Sequence, residues 1–242
     1  MLLQDLLSAI LSSFIISPIM TLIDISIIRS QILKTTFITS TKNTIKDLYK
    51  NVIPMGRPLF LMNGVYSLTF GTANTVDYFC RKINIPSDFP IISCTSAVNI
   101  GMMSYKDKEY SNIFGMTRKN LPFLSYGLFS FGAMCTIYGN FGCKKYLIDK
   151  LDKYMSNDLS NLTSSLMVSM AAQTISTPFH ILGMDYYQNP ENKMRERWEN
   201  IRRLYGSVCT GRIIRTIPAF GIGGFLNDKW KTMEINILNE NK

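Results

Sequence analysis

The chain has 242 residues, a hydrophobic fraction of 46% and a formal net charge of +9. Its basic residues are interleaved with long apolar stretches and match no nucleic-acid-binding motif, so we expect no nucleic-acid partner. The five cysteines are scattered, and with a single histidine they offer no zinc-binding spacing. We therefore expect no metal, no cofactor, no catalytic residues and no enzymatic activity.

Six apolar stretches approach the length that a helix needs to cross a bilayer, roughly 17 to 25 residues. They occupy residues 6–28, 52–76, 89–105, 121–141, 164–187 and 211–227. The alternative is a soluble helical protein, but a soluble helix normally has a charged face, whereas residues 6–28 contain Asp24 as their one charged residue. The sequence therefore predicts an all-α membrane protein with six transmembrane helices, the first of which is too long for the core of a signal peptide.

The basic residues and two amphipathic segments predict how the spans are oriented. If loops alternate between two sides, most of the 26 Lys and Arg residues lie on one side, which the positive-inside bias assigns to the cytoplasm or mitochondrial matrix. Two short helices are expected to lie flat on that surface, with the arginines of the second, among them Arg197, in water. Their apolar faces consist of Ile45, Leu48 and Tyr49, and of Trp198, Ile201, Leu204 and Tyr205.

A charged cluster follows an apolar stretch three times, at nearly equal intervals along the chain. The three segments are residues 22–31, 101–108 and 178–188. Their spacing divides a single domain, 1–242, into three repeats of two spans each, at approximately 1–83, 84–154 and 155–242. Such a period predicts three similar structural units that pack together.

These segments resemble the mitochondrial carrier family, in which Pro-x-Asp-x-x-Lys-x-Arg-x-Gln closes each odd span. The residues that match are Asp24, Arg29 and Gln31 in the first segment, Lys106 and Lys108 in the second, and Pro178 in the third. No copy is intact, so the chain resembles a compact, degenerate member. The resemblance covers essentially the whole chain and implies three pseudo-symmetric repeats around a central cavity, with short surface helices on the matrix side.

The resemblance implies gates of ionic pairs on both sides of the cavity. On the inner side Asp24 is expected to pair with Lys106, while the other two pairs cannot form because their partners are replaced. His180 stands at one of these positions, either as a hydrogen-bonded polar residue of the helix or as a pH-sensitive gate residue. On the outer side Asp228 and Lys231 are the pair in register.

The resemblance also implies substrate-binding residues in the even spans. Gly127 followed by Leu128 is similar to the nucleotide-transporting members, where the pair leaves a flat apolar slot for a base; a packing role for Gly127 is the alternative. Arg215 and, displaced by about one position, Arg57 are expected to bind phosphates, because guanidinium groups bind phosphate oxygens bidentately. An arginine within a span is costly to leave unpaired, which favours a ligand-binding role.

The resemblance thus implies exchange of a phosphate-bearing solute, a nucleotide or deoxynucleotide, across the mitochondrial inner membrane by alternating access. The expected partners are this substrate and membrane lipid, cardiolipin at the surface helices, and the expected state is a monomer with both termini in the intermembrane space. Heavy use of Asn, Ile, Lys and Ser suggests the AT-rich genome of a parasite or large DNA virus acting on a host mitochondrion. The alternative, favoured by the eroded motifs, is a carrier-like membrane adaptor that does not transport.

Overall fold

The computed structural model describes residues 2–50, 55–114, 122–139 and 143–219. Within these ranges the chain forms eight α-helices and no strand, which confirms the predicted all-helical fold. The helices are α1 (Leu2–Ile32), α2 (Phe37–Tyr49), α3 (Gly56–Lys82), α4 (Asp88–Phe114), α5 (Phe123–Tyr138), α6 (Lys144–Leu151), α7 (Asn157–Gln188) and α8 (Met194–Thr216).

Backbone hydrogen bonds explain where the first and third helices end. Lys34 has a positive φ of 53°, and just beyond it the N–H of Thr35 donates to the carbonyl oxygen of Ser30 at 3.0 Å. Asn84 repeats this conformation after α3 with a φ of 57°. Left-handed residues of this kind let the chain turn while the last helical carbonyls keep a donor. The Oγ1 of Thr36 then accepts from the N–H of Thr39 and begins α2 at once.

Six long helices pack side by side in a closed ring. Going around the ring, α1 packs against α3, α3 against α4, α4 against α5, α5 against α7, α7 against α8, and α8 against α1. α1 also contacts α4 and α7, so these helices converge inside the ring. α2 packs against α1 and α8, and α6 packs against α7.

The number of predicted membrane spans is not confirmed by the composition of these helices. Among the described residues, the segment Asp5–Ile32 of α1 is the one stretch of helix that is both long and apolar enough to cross a membrane. Phe123–Thr136 of α5 is apolar but shorter. The six spans and the threefold repeat therefore stay predictions, while the helical fold itself is consistent with a membrane protein.

Two clusters of buried apolar side chains hold the ring together. The larger one includes Met20 of α1, Met62 of α3, Tyr110 of α4 and Met184 of α7. The second joins α1, α2, α7 and α8 through residues such as Phe37 and Val208. Close packing of these side chains joins helices that are far apart in the sequence.

A glycine allows the close approach of α8 to the first two helices. A Cβ on Gly211 would lie 2.7 Å from the Cγ1 of Ile27 and 2.7 Å from the Cδ2 of Phe37. Because real side chains do not approach so closely, glycine is required at this position for the observed packing. By contrast, a Cβ on Gly206 of the same helix would meet nothing within 4 Å.

The α7 helix continues through the proline at position 178. A proline inside a helix removes one backbone hydrogen bond, here the one to the carbonyl oxygen of Thr174. The hydroxyl of Tyr205 in α8 donates to this oxygen at 3.1 Å and replaces the missing donor. The contact fixes α8 against α7 at the level of the proline.

The surface helices differ in detail from the prediction. In α2 the buried residues are Phe37, Ser40 and Thr44, whereas Ile45 is exposed, because the helix turns its other face to α1 and α8. The prediction that Arg197 lies in water is wrong, since that residue is 3% exposed. Its Nη1 donates to the carboxylate of Asp185 at 2.6 Å, and its Nη2 donates to two backbone carbonyls after the end of α7.

Candidate functional site

The ring of helices encloses a cavity of about 350 Å³. Its lining extends along α4 from Ile91 to Asp107, which at 1.5 Å per residue is about 24 Å. The volume lies within the range of about 300 to 1,000 Å³ that is usual for small-molecule sites. The neutral polar residues on its wall include Thr69, Thr95, Ser96, Asn99, Thr136 and Gln173, which stand among apolar side chains such as Phe70 and Ile92.

Six charged or titratable side chains meet at the Asp107 end of this cavity. They come from α1, α4, α7 and α8, and together line a small adjoining pocket. We call them the charge cluster: Asp24, Lys106, Asp107, His180, Arg212 and Arg215. The cluster joins four helices of the ring at one level.

Asp24 is the central carboxylate of the charge cluster and is 2% exposed. It accepts a hydrogen bond from the Nζ of Lys106, so the contact predicted from the sequence is present. The Nη1 of Arg215 lies 3.2 Å from both of its carboxylate oxygens. Two cations from α4 and α8 therefore neutralise one buried acid of α1.

A second carboxylate, that of Asp107, extends the charge cluster to α7. Its Oδ1 lies 2.8 Å from the Nζ of Lys106, and its Oδ2 lies 3.3 Å from the Nε2 of His180. On the opposite side of the imidazole, the Nδ1 of His180 lies 3.5 Å from the Nε2 of Gln31. With the Gln31 amide oriented in this way, its nitrogen donates to Nδ1, and the histidine proton is on Nε2, where it faces Asp107. The imidazole is thus neutral in this arrangement.

Arg212 leaves the charge cluster with an excess of positive charge. It is 7% exposed, and its Nη2 donates to the hydroxyl of Ser176 at 3.1 Å. Among the described residues its Nε has no hydrogen-bond partner, and no carboxylate pairs with the guanidinium. With His180 neutral, three cations stand against two carboxylates in this part of the chain. A buried excess charge favours the binding of an anionic group.

The structure places the predicted substrate residues unevenly. Arg215 lines the cavity, as expected of a binding residue. Gly127 is exposed and Leu128 half-buried, and neither belongs to the described lining, where Phe129 stands instead. The physical reason is the phase of α5, because two residues along a helix turn the side chain by about 200°.

Arg57 lies away from the described cavity wall, and the two residues of the predicted outer gate lie outside the described residues. The side chain of Arg57 is 64% exposed and forms an ion pair with Glu109 instead of lining the described cavity wall. Asp228 and Lys231, the predicted outer gate, lie outside the described residues, so this pair stays a prediction.

Sequence reasoning missed Asp107 and Arg212. Asp107 follows Lys106 directly, within an apolar helix, and an acid beside a buried base is a signal for an ionic network. Arg212 precedes Arg215 by three residues, which places both guanidinium groups on one face of a helix.

A ring of helices around a cavity that ends in buried charges is consistent with a membrane transporter. A family model described as "Probable citrulline exporter" matches residues 8–233. Because this match spans nearly the whole chain, the protein belongs to this family, and its role is transport. Comparisons with curated proteins and with solved structures find no match.

The family match shows that the resemblance to mitochondrial carriers is wrong. That resemblance depended on single residues at motif positions, and no copy of the motif was intact. The nucleotide substrate, the exchange mechanism and the mitochondrial inner membrane followed from it and lose their basis. The charges agree with this correction, since a nucleotide carries several negative charges and the described cavity offers an excess of one positive charge.

Proposed function

We propose that the protein moves a small zwitterionic amino acid with a neutral polar side chain, such as citrulline, across a membrane through the central cavity. The observation that carries this proposal is the combination of a charge cluster with one excess positive charge and an uncharged wall above it, in which hydroxyl and amide groups stand among apolar side chains. The family's description, "Probable citrulline exporter", supports the same substrate class. No covalent chemistry is part of the proposed function.

The chemistry of such an amino acid suits both parts of the cavity. Its carboxylate is a partner for the guanidinium groups of Arg212 and Arg215, which form charge-assisted, bidentate hydrogen bonds with carboxylates. Its ammonium group is a partner for the carboxylate of Asp107 at the same end. Its neutral side chain then faces hydroxyl and amide groups such as those of Thr95 and Asn99.

We further propose that the charge cluster closes the cavity at its own end. Ion pairs link α1 to α4 through Asp24, Lys106 and Asp107. A further pair links α8 to α1, between Arg215 and Asp24. A substrate carboxylate that binds Arg215 competes with Asp24 for it and weakens this link. Substrate binding then shifts the protein towards a state that is open at that end, as alternating access requires.

Transport by the purified full-length protein in liposomes tests the proposal. We expect saturable uptake of labelled citrulline, and loss of most of this uptake in Arg212→Gln. The matched control is Arg195→Gln, because Arg195 is exposed on α8 and forms a loose 3.6 Å pair with Glu199. Absence of saturable uptake for citrulline and for other neutral amino acids would overturn the proposal and favour the alternative of a membrane adaptor that does not transport.

A further inference from the structure

One amide on the cavity wall, that of Gln173 in α7, contacts the neighbouring helix α5. Gln173 is 3% exposed, and its Nε2 lies 3.5 Å from the Oγ1 of Thr136 in α5. The Thr136 hydroxyl donates to the carbonyl oxygen of Gly132 at 3.2 Å, so its oxygen can accept from the Gln173 amide. In this arrangement the amide nitrogen faces Thr136, and the amide oxygen faces away from it.

The amide oxygen of Gln173 lacks a hydrogen-bond donor. Its Oε1 is buried, and no group in the described part of the chain donates to it. A buried acceptor without a donor is unfavourable, so a ligand that brings an N–H group to it gains affinity. The oxygen is covered by neighbouring atoms, and a substrate reaches it after a side-chain shift of the kind that is common on binding.

Gln173 lies at a distance from the charge cluster that matches the side-chain end of a bound amino acid. Gln173 and His180 are seven residues apart on α7 and both line the cavity, so they share one helix face at a separation of about 10 Å. A substrate whose carboxylate lies at Arg212 therefore extends its side chain towards Gln173. The neighbouring described residues of the wall, such as Asn99, carry no charge at this level.

We propose that Gln173 determines specificity by accepting a hydrogen bond from the side-chain N–H of a neutral amide or ureido amino acid. This inference rests on the proposed function. Apolar side chains bring no donor for Oε1. A guanidinium brings donors, but its positive charge has no carboxylate partner at this level of the described wall. The excess positive charge of the charge cluster also repels it. Burying such a charge unpaired is strongly unfavourable.

The test introduces a negative charge at position 173 of the full-length protein and measures transport in liposomes. Uptake of labelled citrulline is measured in competition with unlabelled citrulline, arginine and norleucine. In Gln173→Glu, the added carboxylate provides a counter-ion, so we expect the preference for citrulline over arginine to fall at least tenfold. The matched control is Gln188→Glu, the same change on the same helix outside the described cavity wall, which should leave the preference unchanged.

Two further variants keep the test decisive if Gln173→Glu does not fold. Gln173→Met keeps the length of the side chain without the acceptor, and the preference for citrulline over norleucine should be lost. Thr136→Val removes the group that orients the amide, and the same preference should fall about threefold. Saturable citrulline uptake with unchanged preferences in all three variants overturns this inference and leaves the proposed function intact. Absence of saturable uptake of citrulline and of other neutral amino acids by the unmodified protein overturns both.

Discussion

Replacement of Asp24 by asparagine should destabilise the protein strongly. Asp24 is the carboxylate that both Lys106 and Arg215 contact, and all three groups are largely buried. The substitution keeps the size of the side chain but raises the excess charge of the described cluster from one to two. Breaking a buried ion pair by removing one partner costs about 3 to 5 kcal/mol, because the remaining charge stays buried. In a chain of this size, each kcal/mol of lost stability lowers Tm by about 2 to 4 °C. We therefore expect Tm to decrease by about 6 to 20 °C.

Thermal unfolding of the detergent-purified protein measures this effect. The control is Glu199→Gln, whose exposed partner Arg195 lies 3.6 Å away, and which should change stability by less than about 1 kcal/mol. Adding Lys106→Met to Asp24→Asn returns the excess charge to one, so the double variant should be more stable than the two separate losses predict, by about 0.5 to 3 kcal/mol. A Tm for Asp24→Asn within about 2 °C of the unmodified protein, or strict additivity in the double variant, would refute the reasoning.

Three other substitutions test the packing and the limits of the site. Gly211→Ala should cost about 1 to 3 kcal/mol in thermal unfolding, because its Cβ would overlap side chains of α1 and α2, whereas Gly206→Ala, in open space, should be neutral or slightly stabilising. Arg197→Leu should cost about 3 to 5 kcal/mol, since it leaves the buried Asp185 without its cation, and an unchanged Tm would contradict this. Gly127→Ala should leave citrulline uptake unchanged in liposomes, because this position lies outside the described cavity wall; a marked loss of uptake would return Gly127 to the site.

The helical fold and one contact of the site could be predicted from the sequence for a simple reason. Asp24 is the one charged residue in a long apolar stretch, and Lys106 lies at the end of another. Charges in apolar helices are costly unless they find opposite charges, so a pair between them follows from electrostatics as well as from any family pattern. The observed contact agrees with this argument even though the carrier resemblance does not hold.

The rest of the site could not be predicted because it depends on helix phase and on which segments are surface loops. The predicted cavity position on α5, Gly127, is two residues from Phe129, which lines the described wall. The sequence predicts Arg197 in water, and Arg212 is one of seven basic residues between positions 193 and 215, yet both are buried. Composition alone does not show which arginines of a basic helix face a neighbouring helix.

The arrangement of the charges connects substrate binding to the packing of the whole ring. α1, α4, α7 and α8 contribute side chains to the described charge cluster, whereas α3 and α5 contribute to the cavity wall. In the proposed mechanism, opening that end breaks contacts of both Asp24 and Asp107, because the two acids share Lys106. A ligand shifts such an equilibrium only by the difference between its affinities for the two states. If a substrate carboxylate takes over Arg215 from Asp24, that difference arises where the helices are joined, so binding in the cavity and opening at its charged end are one coupled event.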